Sequence, residues 1–271
     1  MYQTTIKYPV SITGISLRGG DLCTVKLLPS NDTTGIRFFT TTDGKIEIIA
    51  CDPISVIDTM CSTNIGITDI SISTIEHLMS ALHACNIHNV DITVYGSGIP
   101  ILDGSSISLY HLIKSAGVKK FDKKCKYICI EKEMVLQNGN AVIKASPYPG
   151  FKVIMTIDFD HPVIGKQTFI YDSNVDYEKE IAPARTFAMI DDIKKLQKIG
   201  IIKGGSSDNA IILDNNSIIN TELYWPDEFV RHKILDFIGD IYMKGPINGL
   251  FECKCTGHDT NIKMLRIIIG E

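Results

Sequence analysis

The sequence predicts an α+β fold made of two halves of similar size. Short β-like segments open the chain and lead into helices, and the same order of strands then helices returns further on. A short charged stretch near the middle, Lys119-Lys120-Phe121-Asp122-Lys123-Lys124, reads as a linker. The 271 residues suffice for one large domain or two ordinary ones, and 44% hydrophobic against 21% charged residues is a globular balance, not a disordered one. The expected division is 1–120 and 125–271.

Each element has a local cause. Leu22-Cys23-Thr24-Val25-Lys26-Leu27 and Gly35-Ile36-Arg37-Phe38-Phe39 read as strands, bounded by turn residues such as Pro29-Ser30-Asn31-Asp32. Ser73-Thr74-Ile75-Glu76 fits a capping box, and Ile75, Leu78, Met79, Leu82 and Cys85 follow at helical spacing. Val90, Ile92 and Val94 alternate as one face of a strand. A turn with Gly96, Gly98 and Pro100 precedes Asp103-Gly104-Ser105, and a second helix is expected from about Ser106 to Ala116, stopped by Gly117. Past the linker, strands are expected at Tyr127 to Glu131, Ala141 to Ala145 and Lys152 to Asp158. From Asp191 to Ile199, acidic residues come first, lysines later and Gly200 last, which suits a helix dipole; Ile193, Leu196 and Ile199 form the apolar edge. A longer helix begins at Pro226 and runs to about Tyr242. No sequence repeat relates the two halves.

Composition removes several function classes. With 27 basic and 31 acidic residues, a formal net charge of -4, nothing argues for nucleic acid as a partner. The opening residues Met1-Tyr2-Gln3-Thr4-Thr5-Ile6-Lys7 lack the basic-then-apolar pattern of a secretory signal. The chain contains no apolar run long enough to span a bilayer. Eight scattered cysteines then read as reduced thiols in a cytoplasmic protein, and a monomer is expected.

Four constellations carry chemistry. On the long helix, Val230, Ile234, Phe237, Ile238 and Ile241 make an apolar stripe, while His232, Asp236 and Asp240, spaced by four, make a second stripe largely opposite it. A His and a carboxylate so placed can bind one ion, although this stripe alone reads more readily as an exposed polar face. Glu76 and His77 are adjacent near a helix start and point about 100° apart, so one can ligate a metal while the other flanks a water. Two His and one Asp form a three-ligand set with a position left for water, as a catalytic zinc site requires, and Glu76 would be the base. Taken alone, Glu76 reads as part of its capping box. Cys255-Thr256-Gly257-His258-Asp259 puts His258 on a loop or turn, where it could protonate a leaving amine or be an ordinary surface residue. In Ala182-Pro183-Ala184-Arg185-Thr186-Phe187, the Thr186 hydroxyl could donate to an oxyanion. A structural zinc site of Cys125, Cys129, Cys253 and Cys255 is a competing reading, since each pair can share a strand face. The zincin pattern His-Glu-x-x-His is absent.

Together and in this order, these constellations resemble the UDP-3-O-acyl-N-acetylglucosamine deacetylase family of bacterial lipid A biosynthesis, over essentially the whole chain. The resemblance rests on Thr74-Ile75-Glu76-His77-Leu78, Ile99-Pro100-Ile101-Leu102-Asp103-Gly104-Ser105, Ala184-Arg185-Thr186-Phe187, Gly204-Gly205-Ser206 with Asn209-Ala210, Asp227-Glu228-Phe229-Val230-Arg231-His232-Lys233 with Asp236 and Gly239-Asp240, and Gly257-His258 with Asn261. It implies two similar α/β-sandwich domains packed face to face, the active site in the cleft between them and an insertion in each. The insertion near 185–213 would be a β-α-β element lining a passage for the substrate's acyl chain. The resemblance further implies one catalytic Zn²⁺ (Fe²⁺ in the cell is equally compatible) held by His77, His232 and Asp236. Glu76 would be the general base, His258 the cation that aids the leaving amine, Thr186 the oxyanion donor, and Lys233 and Asp240 the supporting charges, with Asp240 orienting His258. The reaction would be hydrolysis of the N-acetyl group of UDP-3-O-acyl-N-acetylglucosamine to acetate and a free amine, the committed step of lipid A synthesis. The acyl chain would bring the enzyme near the inner membrane surface.

The sequence also departs from the family's pattern. Arg18 stands where a His is expected, Cys255 where a Lys is common, Ala188 where Gly is usual and Leu102 where Met is usual. The missing Lys bears on the substrate's diphosphate, and Arg18 or Lys254 is the expected compensation. An alternative consistent with these changes is a catalytically impaired homologue that binds nucleotide-sugar.

Overall fold

The computed structural model describes residues 1–42 and 44–271. Two mixed sheets dominate it. The first runs in the order Val10–Ile15, Leu22–Pro29, Val90–Tyr95, Ile36–Thr42, Lys45–Ala50; the second in the order Met134–Asn138, Ala141–Ser146, Ile247–Lys254, Phe151–Asp158, Lys166–Tyr171. The two orders are the same: a hairpin, a late strand inserted in the centre, then a second hairpin. In both sheets the central strand is antiparallel to the first hairpin and parallel to the second. The α+β class with two similar halves is therefore as expected, although no sequence repeat announces it. Helices follow the same plan. In the first half, α1 (Glu76–Ala84) precedes the late strand and α2 (Ile107–Ser115) follows it. In the second half, α3 (Tyr177–Glu180) and α4 (Ile190–Lys198) come before α5 (Glu228–Ile241), which precedes its late strand, and α6 (His258–Ile269) follows it.

Alternation in the late strands explains their place. Val90, Ile92 and Val94 are fully buried while Asp91 and Thr93 are not, so one face packs on helices. Ile247, Gly249, Phe251 and Cys253 do the same in the second half. Each half carries an insertion between its second hairpin and its helix. In the first it is a three-stranded antiparallel sheet, Val56–Asp58, Asn64–Ile67 and Ile70–Ile72. In the second it is a parallel strand pair, Phe187–Met189 and Ile211–Leu213, crossed over by α4, the expected β-α-β element.

Local expectations fail in four places. The stretch read as a linker, 119–124, belongs to strand Val118–Lys124, which pairs antiparallel with Tyr2–Ile6. Ser73-Thr74-Ile75-Glu76 makes no capping box: α1 starts at Glu76, Ile75 is its cap without a side-chain bond, and Glu76 bonds elsewhere. The strand expected from Tyr127 to Glu131 shrinks to Ile128–Cys129. Helix α6 was not among the expected elements, although Ile262, Leu265 and Ile269 keep helical spacing; it ends on Gly270 in the left-handed conformation, φ 80°.

The halves meet where α1 crosses α5. A Cβ on Gly239 would lie 2.0 Å from the carbonyl oxygen of Glu76, so only glycine lets the two backbones come this close. Val230, Ile234, Phe237, Ile238 and Ile241 are buried as the stripe predicted. The opposite stripe is not an exposed polar face: His232, Asp236 and Asp240 are at most 3% exposed.

Candidate active site

The close crossing of α1 and α5 brings Glu76 and His77 from one helix against His232, Asp236 and Asp240 from the other. The Nε2 atoms of His77 and His232 lie 3.6 and 3.3 Å from the same oxygen, Oδ1 of Asp236. The three ligand atoms lie within 4.8 Å of one another. Among the described residues this is the group of His, Cys, Asp and Glu side chains close enough to share an ion, and the four cysteines of the competing zinc reading form none. All eight cysteines are unpaired.

The donor chemistry fits a divalent cation. Asp236 Oδ1 is buried and accepts no hydrogen bond, an arrangement that costs free energy unless something positive completes it. Burial pushes the His232 imidazole down to about 3, so it is neutral. Its Nδ1–H donates to the Ala184 carbonyl at 3.0 Å, which fixes the tautomer and leaves the Nε2 lone pair facing Asp236. The other oxygen of Asp236 accepts from Lys233 Nζ at 2.9 Å. Burial opposes the charge on Lys233, but Asp236 beside it raises its pKa on balance.

Beside this triple stand a carboxylate and an imidazole, Glu76 and His258. Glu76 is 2% exposed, and burial raises its pKa despite the nearby His258 and His77. Its Oε2 accepts from the Thr63 main-chain N–H at 2.9 Å, and its Oε1 lies 4.0 Å from His258 Nε2. His258 is not on a loop, as expected, but is the first residue of α6. A cation at a helix N-terminus is disfavoured by the dipole, and burial works in the same direction. The Asp240 carboxylate, which accepts from His258 Nδ1 at 2.8 Å, outweighs both and raises its pKa to about 9. Asp240 Oδ2 also accepts from Asn261 Nδ2 at 2.9 Å.

Seven of the eight candidate residues, Glu76, His77, Thr186, His232, Lys233, Asp236 and His258, line one cavity of about 730 Å³. Asp240 does not line it and sits behind His258, 1% exposed. The cavity continues between Phe187, Ile190, Ile193, Leu196, Ile202 and Ile212 of the β-α-β insertion. Ile199, expected on the same apolar edge, is instead 65% exposed. Thr186 is placed by a buried ion pair. Glu228 Oε1 accepts from Arg185 Nε at 2.8 Å and from its main-chain N–H at 3.1 Å, and this anchors the segment that carries both the Ala184 carbonyl and Thr186. Sequence reading gave no role to Glu228, Asn261 or Thr63. Glu228 and Asn261 lie inside the quoted motifs, but Thr63 sits in none.

Comparison with known proteins places nearly the whole chain in one family. The family model of LpxC, UDP-3-O-acyl N-acetylglycosamine deacetylase, matches residues 3–270. The chain belongs to the UDP-3-O-acyl N-acetylglycosamine deacetylase family. Curated relatives named UDP-3-O-acyl-N-acetylglucosamine deacetylase include those of Nitratidesulfovibrio vulgaris, 39% identical over 270 residues (99% of this chain, 88% of the relative), and Nautilia profundicola, 40% identical over 273 residues (100% and 93%). The protein of that name from Haemophilus influenzae is 40% identical over 274 residues (99% and 90%). Two departures from the deacetylase pattern acquire a place. Cys255 lines the main cavity. Arg18 does not; it pairs with Asp58 and lines a neighbouring cavity of about 410 Å³ with Lys203. Lys254 is exposed and lines neither. Neither cation stands at the wall of the main cavity.

Proposed function

We propose that this protein hydrolyses the N-acetyl group of UDP-3-O-acyl-N-acetylglucosamine, releasing acetate and the free amine, the committed step of lipid A synthesis. The observation that carries the proposal is a buried carboxylate, Glu76, set 4.0 Å from a cationic imidazole, His258, beside a three-ligand group in one cavity with an apolar extension. His77, His232 and Asp236 would hold one divalent cation, Zn²⁺ or Fe²⁺. When bound, such an ion polarises a carbonyl oxygen and acidifies water.

The chain's own residues supply the proton traffic. Glu76, with one oxygen held by Thr63 and a raised pKa, accepts the proton of the attacking water on Oε1. His258 carries its proton at neutral pH and delivers it from Nε2 to the departing amine nitrogen. Asp240 keeps that imidazole oriented. The Thr186 hydroxyl donates to the developing oxyanion, and Lys233 balances Asp236. The apolar wall of α4 accommodates the acyl chain and excludes water from it. The division into domains 1–120 and 125–271, action as a monomer, and residence in the cytoplasm near the inner membrane surface belong to the same proposal. Among the described residues, no helix is long and apolar enough to cross a membrane.

The test is acetate release from UDP-3-O-acyl-N-acetylglucosamine by wild type and Glu76→Ala, each with and without chelator. Activity in untreated wild type alone is the expected outcome. Equal turnover by Glu76→Ala would remove the proposed base.

A further inference from the structure

Thr63 lies outside every motif that suggested chemistry, yet it is fully buried and touches both halves of the proton machinery. It stands just before the strand Asn64–Ile67 of the first insertion. Its main-chain carbonyl accepts from Ile75 N–H at 3.1 Å, at the cap of α1. Its main-chain N–H donates to Glu76 Oε2 at 2.9 Å, and its hydroxyl donates to Asp240 Oδ1 at 2.5 Å.

The three contacts of the Asp240 carboxylate define what that hydroxyl does. Oδ2 is shared by His258 Nδ1 and Asn261 Nδ2, at 2.8 and 2.9 Å. Oδ1 has one donor, Thr63. Without it, a buried carboxylate oxygen would face protein with no partner, and the carboxylate could rotate to recover one at the expense of His258.

We infer that Thr63 is a positioning residue that ties the Glu76 carboxylate and the Asp240–His258 pair to one point of the backbone. The inference rests on the proposed deacetylase reading for its kinetic consequence, but not for its geometry. Because the base is held by the main chain and the acid by the side chain, substitution separates them. Thr63→Val keeps the shape and both main-chain bonds and removes the hydroxyl donor. Thr63→Ser restores that donor.

Loss of a hydrogen bond to a buried charge is expected to lower kcat about ten- to a hundred-fold in Thr63→Val, with KM and bound metal within about two-fold of wild type. Thr63→Ser is expected to recover most of the loss. In an Asp240→Asn background, Thr63→Val should add little, since the hydroxyl acts through that carboxylate. Independently of turnover, the His258 Nδ1 proton should give a downfield NMR resonance in wild type that weakens in Thr63→Val and returns in Thr63→Ser. If valine packs poorly, Thr63→Ala takes its place with the same expectations. Wild-type kcat in Thr63→Val, equal loss in the Ser and Val variants, or an unchanged His258 resonance overturns the inference. Acetate release by wild type is measured in parallel. A wild type that releases none sinks the deacetylase reading, and the resonance then still decides the role of Thr63.

Discussion

Glu76 and His258 are neighbours whose environments drive them toward opposite proton tasks. Burial makes the Glu76 carboxylate more basic, and Asp240 makes the His258 imidazole less acidic. Replacing Glu76 by Gln should therefore lower kcat about 10²- to 10⁴-fold, the span of general base catalysis, with bound metal unchanged by atomic absorption. For His258 the sign follows from its folded pKa of about 9 against 6.5 for a free imidazole. In chelated protein, the Asp240–His258 pair contributes stability that is fully present below pH 6.5 and lost as pH rises through about 9. Asp240→Asn should abolish that part of the pH dependence of urea unfolding. It should also move the alkaline limb of kcat to lower pH, because the imidazolium loses the carboxylate that keeps it protonated. An alkaline limb that stays in place would separate His258 from the acid role.

At the scale of elements, two helices are built for different work. Helix α5 is buried almost throughout, and Gly239 sets how close α1 can come. Gly239→Ala must push the helices apart, so about 1–3 kcal/mol of stability should be lost in denaturant unfolding, with a drop in metal affinity by titration as His77 moves off Asp236. Helix α4 has no buried residue; its Ile193 and Leu196 face the cavity and not a core. Ile193→Ser should thus change stability by only about 0.5 kcal/mol, the range of surface substitutions. The same change should raise KM for a long-acyl substrate while leaving kcat for a short-acyl analogue near wild type. An equal effect on both substrates would deny α4 the acyl chain.

For the whole molecule, the candidate ligand set joins the halves: His77 comes from the first, His232 and Asp236 from the second. A cation held by all three binds only the assembled fold, so it should stabilise by about 2.7 kcal/mol at a hundred-fold excess over its Kd. Chelation should lower Tm accordingly, and Zn²⁺ should restore it. His77→Ala should remove this metal-dependent shift in calorimetry, whereas substitution of Cys125 or Cys253 should leave it intact.

The residues of the candidate site were legible in the sequence because helical spacing puts His232, Asp236 and Asp240 on one face, and because Glu76, His77 and His258 keep the order of a known family. The strands around Val90, Ala141 and Lys152 were legible from alternation and turn residues. The repeated strand order of the two sheets was not, since pairing is decided by partners far apart in the chain. Nor was the burial of the His232 stripe, because a polar face reads as solvated until a second helix is laid across it. Thr63 shows the same limit at one residue: a threonine before a short strand carries no local signal, and only the approach of Glu76 and Asp240, 13 and 177 positions away, gives its amide and hydroxyl something to hold.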